Sequence, residues 1–366
     1  MTGPQPRPSI LDIEPYVAGE SKIAGVNRII KLSSNEGAFG PPPAAIAAHE
    51  TAAREMHRYP DGSATALRQA LGRSFGLDAE RIVCGAGSDE IIGLLAQIFG
   101  GPGTETLTTE HAFAMYGIYA KYAGSTLVKV KERARTADVD AILAGVSPRT
   151  SIVFLANPNN PTGTVLPKAE VHRLRERLPG NILLVLDGAY AEYMTRPDYS
   201  VGNELVDAAD NTVVTRTFSK IFGLGGARLG WCYAPPRIVG LLNRVRSPFN
   251  TGLAAQAAGV AALAEPGWIA KNVAHNISER ARVISRLRAA GIDVPDTEGN
   301  FILPDFGSPE RADAADAFLK SRGLIVRRMG GYGMPSCMRI TIAATDENDL
   351  LSEALEAFQA AGTARD

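Results

Sequence analysis

Cysteine is scarce in this chain. The three in 366 residues, Cys84, Cys232 and Cys337, lie far apart and in no C-x-x-C spacing, which argues against a disulfide framework and a zinc site and fits a reducing compartment. An excess of either charge is missing as well: Lys and Arg total 38, Asp and Glu 39, with no block of one sign. That balance lacks the electrostatic footprint for nucleic acid or anionic lipid and leaves small molecules and further copies of the chain as the expected partners. No apolar run approaches the ~20 residues of a membrane span. The segment from Met1 to Ser9 is polar and proline-rich, so a cytoplasmic, unexported protein is expected. A dinucleotide fingerprint is also lacking. The cluster opening with Gly85 and Gly87 reaches Glu90, and the one opening with Gly223 and Gly225 reaches Arg228, where a third glycine is required.

What is present is an alternation of short apolar runs and amphipathic stretches, the pattern of an α/β sheet. Residues 151–155, 182–186 and 212–215 are unbroken enough to be strands covered on both faces. Between the first two, Val171, Leu174 and Leu178 recur at helical spacing after Pro167 and stop at Pro179-Gly180, which predicts a β-helix-β crossover. Beyond residue 250, Trp268, Val273, Ile277, Ile284 and Leu287 mark a long amphipathic helix ending at Gly291. Two alternating stretches, 324–327 and 338–342, then flank a glycine-rich turn before a last helix. The length exceeds the usual single core. The expected architecture is a large α/β domain over 41–250, with a mainly parallel central sheet flanked by helices, and a smaller α+β domain over 251–366. An irregular arm over 1–40 packs on the small domain or on a neighbouring subunit.

Each central strand ends in polar residues: Asn157 to Gly163, then Asp187 to Tyr190, then Arg216 to Lys220. In an open parallel sheet, ligands sit beyond the carboxyl ends of the strands, so the three stretches converge on one crevice. Lys220, in Thr217-Phe218-Ser219-Lys220 with Arg228 downstream, suits covalent attachment of an aldehyde bearing a phosphate, such as pyridoxal phosphate. Asp187 follows five apolar residues; a carboxylate there needs a cationic partner to stay ionised, and a protonated pyridine nitrogen is one. Asn160 and Tyr190 both carry donors suited to a ring phenolate. Gly87, Ser88 and Asp89 open an apolar helix whose free amides suit an anion, with Ser219 and Arg228 approaching from the other side. Read alone, each of these has a plain alternative. Asp187 suits a helix cap, Asn160 a turn before proline, Tyr190 a helix-face aromatic, Arg327 an exposed strand edge, and Asp89 with Glu90 already complement the helix dipole.

Together the motifs Asn35-Glu36, Tyr59-Pro60, Gly87-Ser88-Asp89, Asn159-Asn160-Pro161-Thr162-Gly163, Asp187-Gly188-Ala189-Tyr190, Ser219-Lys220, Arg228 and Arg339-Ile340-Thr341 resemble fold-type I pyridoxal-phosphate aminotransferases, in the histidinol-phosphate aminotransferase branch. The resemblance runs from Leu11 to about Phe358. It implies that Lys220 bonds covalently to pyridoxal 5'-phosphate, that Asp187 meets the pyridine nitrogen, and that Asn160 and Tyr190 contact the ring oxygen. It further implies that Ser88, Ser219 and Arg228 hold the phosphate, joined by Tyr59 from the partner subunit of a homodimer, that Gly87, Asp89 and Thr217 belong to the cofactor site, and that Phe113 stacks on the ring. Arg339 matches the arginine that grips the substrate's anionic group, and Tyr16, Asn35 and Arg327 border the substrate.

The implied reaction is ping-pong transfer of an amino group between histidinol phosphate and 2-oxoglutarate or glutamate, in histidine biosynthesis, with no metal. The same catalytic residues would serve an aromatic amino-acid aminotransferase or a decarboxylase of the same fold. A ligand-sensing regulator would need a basic helix-turn-helix module that the first ~40 residues are too short and irregular to supply. The chain departs from the family pattern at Gly37-Ala38, at Ala343-Ala344 and at His111, which stands where a proline is usual. The first two segments are expected to shape the substrate pocket.

Overall fold

The structure is a computed structural model that describes residues 3–15, 20, 22–23, 25 and 28–363. Its centre is a seven-stranded sheet. Across the sheet the strands run Ile82–Gly85, Gly230–Tyr233, Thr212–Thr217, Leu183–Asp187, Thr150–Ala156, Glu105–Thr109 and Thr126–Val130. Only Gly230–Tyr233 runs antiparallel to its neighbours. The three strands expected at the centre are there, and two of them are buried along their whole length, because helices cover both faces. The crossover helix spans Lys168–Arg177 and buries Val171 and Leu174. The parallel register pairs Ala156 with Asp187 and Asp187 with Thr215. Three strand ends therefore open at one level.

The helices divide between two cores. Val83, Ile91, Tyr116, Phe154, Val185 and Val213 lie on one face of the sheet, and Leu107, Val153, Leu155, Leu184, Leu186 and Val214 on the other. Helix Leu253–Leu263 lies with this assembly. Its Ala255, Ala258 and Ala262 pack into the same core as Ala45 of helix Pro43–Ala53, and the small side chains on both helices permit the close approach. A separate core gathers Ile30, Leu32, Val283, Leu287, Ile302, Leu319, Leu324, Ile340 and Leu351. We therefore propose that the boundary between the two domains falls inside the long helix Pro266–Ala289, and that Ile30 and Leu32 count with the smaller one. Ile30–Lys31 pairs in parallel with Leu324–Ile325. Phe301–Ile302, Met338–Thr341 and Arg327–Arg328 form a three-stranded antiparallel sheet.

The long helix buries Ile284 and Leu287 as expected and departs from its expected face nearer its middle. Ile277 is exposed, and the buried positions are Asn272, Asn276, Glu279, Val283, Ile284 and Leu287. The polar ones are bonded: the Asn276 amide donates to the Gly299 carbonyl at 2.8 Å, and Glu279 accepts from Arg282 and Asn348. A buried polar group with a partner costs little, so a hydrophobic stripe need not mark the inner face. Among the described residues no helix is long and apolar enough to cross a membrane.

Candidate active site

A cavity of about 420 Å³ opens where the central strands end. Eleven of the residues singled out above are close to it. Ser88, Asp89, Phe113, Asn160, Asp187, Tyr190, Thr217, Ser219, Lys220 and Arg228 line it, and Arg339 reaches its edge by donating to the Asn160 Oδ1 at 2.6 Å. Convergence of three sequence-distant strand ends is the geometry expected of a switch-point crevice.

One end of the cavity is built for an anion. Helix Ser88–Phe99 begins after Gly87, which stands at a φ of 87° and has no side chain to cap it, so the helix start keeps amides free for an anion. Glu90, which the sequence suggested would complement the helix dipole, turns back instead: it accepts from the Ala86 N–H at 2.6 Å and from Asn250 at 2.7 Å. Arg228, itself at a φ of 51°, donates to Ser219 Oγ at 3.4 Å and to the Gly225 carbonyl at 3.1 Å. The Thr217 hydroxyl donates to Ser219 Oγ at 3.0 Å. The space is reserved by glycines. A Cβ on Gly87 would lie 2.5 Å from an Arg228 guanidinium nitrogen, and one on Gly230 would lie 2.2 Å from the backbone nitrogen of Ser88. Gly230→Ala is thus expected to cost about 1–3 kcal/mol through forced backbone displacement, seen as a lower denaturation midpoint. It should also displace the helix start and so weaken binding of any anion there.

The opposite wall holds a carboxylate without a cation. Asp187 is 5% exposed, and burial pushes its pKa up against the hydrogen bonds it receives. Those come from the Tyr116 hydroxyl at 2.7 Å and the Ala189 N–H at 3.1 Å. Among the described residues no lysine or arginine pairs with it, so the wall is one a cationic ring nitrogen would complete. Asp89 is different. Its Oδ2 accepts from Tyr119 at 2.8 Å and burial raises its pKa too, which makes it a poor competitor for an anion at the helix start.

Lys220 occupies the floor. Its Nζ donates to the Ser34 carbonyl at 3.1 Å and lies 5.7 Å from the centre of the Tyr190 ring. Desolvation, with Arg339 second, lowers its pKa to about 7, so near neutrality a large share of this amine is unprotonated and nucleophilic. Tyr190 is buried, and burial raises its pKa to about 12. Its oxygen accepts from Asn35 Nδ2 at 2.9 Å, which leaves its own proton to donate. The Asn160 Oδ1 is taken by Arg339, which likewise leaves the Asn160 amide hydrogens for the cavity. Arg339 also donates to the Ser33 carbonyl at 2.9 Å.

Other expected residues stand apart from this cavity. Asn35 is fully buried behind Tyr190 and does not line it. Arg327 borders a neighbouring space shared with Phe113, Lys121 and Tyr332. Tyr59 is 82% exposed and stacked on Phe249 with ring centres 4.6 Å apart, away from the cavity in its own chain. Tyr16 lies outside the described residues. Of the departures, Gly37 packs against Lys220, where a Cβ would come within 3.0 Å of the Lys220 carbonyl oxygen. His111 uses what a proline lacks: its backbone N–H donates to Glu132 Oε1 at 3.2 Å and its ring meets Glu132 Oε2 at 2.8 Å. Two residues were missed. Tyr116 reads as one more aromatic of an apolar helix, three positions after Phe113, and Ser34 contributes only its backbone carbonyl.

Comparison with known proteins converges on one family. Residues 27–358 match the model of aminotransferase class I and II. The chain is 57% identical over 360 residues to histidinol-phosphate aminotransferase of Granulibacter bethesdensis, covering 98% of this chain and 97% of that one. It is 56% identical over 359 residues to the enzyme of the same description from Rhodospirillum rubrum, again covering 98% and 97%. Among solved structures, histidinol-phosphate aminotransferase from Sinorhizobium meliloti in complex with pyridoxal-5'-phosphate superposes with a TM-score of 0.90 at 29% identity, covering 98% of this chain and 99% of that one.

Proposed function

The chain belongs to the aminotransferase class I and II family, and from that premise we propose that it transfers an amino group between histidinol phosphate and 2-oxoglutarate or glutamate with pyridoxal 5'-phosphate as cofactor. The observation that carries the reading is the opposition, across one cavity, of a depressed-pKa lysine, an unpaired buried carboxylate and an uncapped helix start. Relatives above 50% identity over nearly the whole chain, named for this activity, support the substrate.

The cofactor, when bound, supplies an aldehyde for covalent attachment and a ring that accepts the electron pair left when a substrate Cα loses its proton. The chain's residues do the rest. Lys220 Nζ would be the attachment point and, when free, the base positioned to take and return the Cα proton; its neutral form near pH 7 is the competent one. Asp187 holds a positive charge at the ring nitrogen. Asn160 and Tyr190, with donors left over by their contacts to Arg339 and Asn35, hold the ring oxygen. Ser88, Ser219, Arg228 and the amides after Gly87 hold the phosphate, and Thr217 orients Ser219. Phe113 covers one ring face.

Arg339 is the planar fork for the substrate's anionic group, held at the cavity edge by its contacts to Asn160 and the Ser33 carbonyl. Tyr16, Asn35 and Arg327 shape the substrate end, Asn35 by fixing Tyr190. Tyr59 completes the phosphate site of a partner subunit in a homodimer, a reading supported by its exposure in its own chain. The enzyme is expected in the cytoplasm.

The test is a half-reaction titration of the cofactor-loaded protein with histidinol phosphate, glutamate, phenylalanine and tyrosine, following loss of the visible absorption band. Histidinol phosphate and glutamate are expected to bleach it at the lowest concentrations. Bleaching by phenylalanine at concentrations where histidinol phosphate is inert would assign the aromatic alternative instead.

A further inference from the structure

Tyr116 lies behind the site and outside its cavity. It is fully buried on helix Ala114–Ala123. Two aromatic neighbours fix its ring: Phe154 stacks on it with centres 4.8 Å apart at 7°, and Phe113 meets it edge-on at 5.6 Å. That leaves the hydroxyl one place to point, and it donates to Asp187 Oδ2 at 2.7 Å. The direction of the bond is set by the acceptor, since an ionised carboxylate has no proton to give. The Ala189 backbone N–H is a second donor, and the Thr215 side chain beside Asp187 in the sheet register also favours the ionised carboxylate, less than Tyr116 does.

We propose that Tyr116 is a positioning residue for the reaction, whose hydroxyl keeps the buried Asp187 carboxylate ionised and turned toward the ring nitrogen of the cofactor. The physical need is plain. Asp187 sits where desolvation favours its neutral form, and donated hydrogen bonds, that of Tyr116 foremost, are what oppose it. Without the hydroxyl, Oδ2 loses its donor in a dry site, the carboxyl takes up a proton, and the contact to the ring nitrogen becomes a neutral hydrogen bond. Charge-assisted bonds are roughly twice as strong as neutral ones, so the cost appears at the ring nitrogen. Phe113 links the same side chain to the opposite requirement, because Tyr116 supports edge-on the aromatic that lines the cavity.

The proposal rests on the assignment of Asp187 to the ring nitrogen, and the test separates the two. Equilibrium affinity of the cofactor-free protein is measured for pyridoxal 5'-phosphate and for its 1-deaza analogue, in which a C–H replaces the ring nitrogen, in the parent chain and in Tyr116→Phe. The parent is expected to prefer the natural cofactor. Tyr116→Phe is expected to lose about tenfold in affinity for the natural cofactor, the loss typical of a hydrogen bond to a charged group, while its affinity for the analogue is unchanged or tighter. A role limited to core packing would weaken both ligands alike or neither, and either result overturns the proposal. Should the parent bind the two ligands equally, the Asp187 assignment itself falls, and Tyr116 with it. The analogue reports on folding within the same experiment, because a variant that retains its binding has kept the site.

Discussion

Lys220→Ala is expected to abolish transamination, with a loss of at least about 10⁴ in kcat, at the upper end of what a positioned acid-base group supplies, because the covalent attachment point goes with it. Steady-state rates check the first part. A second measurement checks the assignment itself: borohydride treatment of the loaded parent should leave a pyridoxyl mass on the peptide containing Lys220 and on no other. Absence of that mass would remove the catalytic reading while leaving the fold intact.

The low pKa adds a pH signature. Desolvation favours the uncharged amine, so the reactive fraction of Lys220 in the cofactor-free protein rises as pH climbs through about 7 and is small below it. The rate of capture of pyridoxal 5'-phosphate should follow that curve, whereas a solvated lysine would remain slow until pH approached ~10.4. A capture rate that keeps rising steeply above pH 9 would contradict the burial argument.

Asp187→Asn is the second large effect. It keeps the shape and removes the charge, so the ring nitrogen would lose its ionised partner. Breaking a buried charge pair costs about 3–5 kcal/mol, which at 1.36 kcal/mol per decade is a loss of about 10²–10⁴ in kcat. Stability should move the other way or stay level in the cofactor-free variant, since an unpaired buried carboxylate has been exchanged for a neutral amide. Stopped-flow half-reaction rates and a thermal midpoint of the cofactor-free protein measure the two signs independently. A variant that lost stability and kept its half-reaction rate would show the carboxylate to be structural.

Asp187 and Tyr116 illustrate where a linear reading stops. Five apolar residues followed by an acid mark a buried strand end, so the need for a partner at Asp187 is legible from residue order. The partner is not, because Tyr116 lies 71 residues earlier and helical spacing assigns its ring to the core without saying where its hydroxyl points. Glu90 shows the same limit in reverse. As an acid in a helix's first turn it is expected to complement the dipole, but Asn250, 160 residues away, and the Ala86 amide hold it back. Helix Leu253–Leu263 shows the limit too, since an alanine-rich stretch carries no face strong enough to say which core receives it.

Residue order alone determined the alternation of buried strands and amphipathic helices, the polar stretches that end those strands, and the chemical types gathered there, because period and composition are local properties of a chain. The tertiary structure decided which lysine face is desolvated, which carboxylate lacks a cation, which acids are spent on backbone amides, and which core takes each helix. Those depend on the dielectric and the donors that distant segments bring within hydrogen-bond reach, and such distances are defined only once the chain has folded.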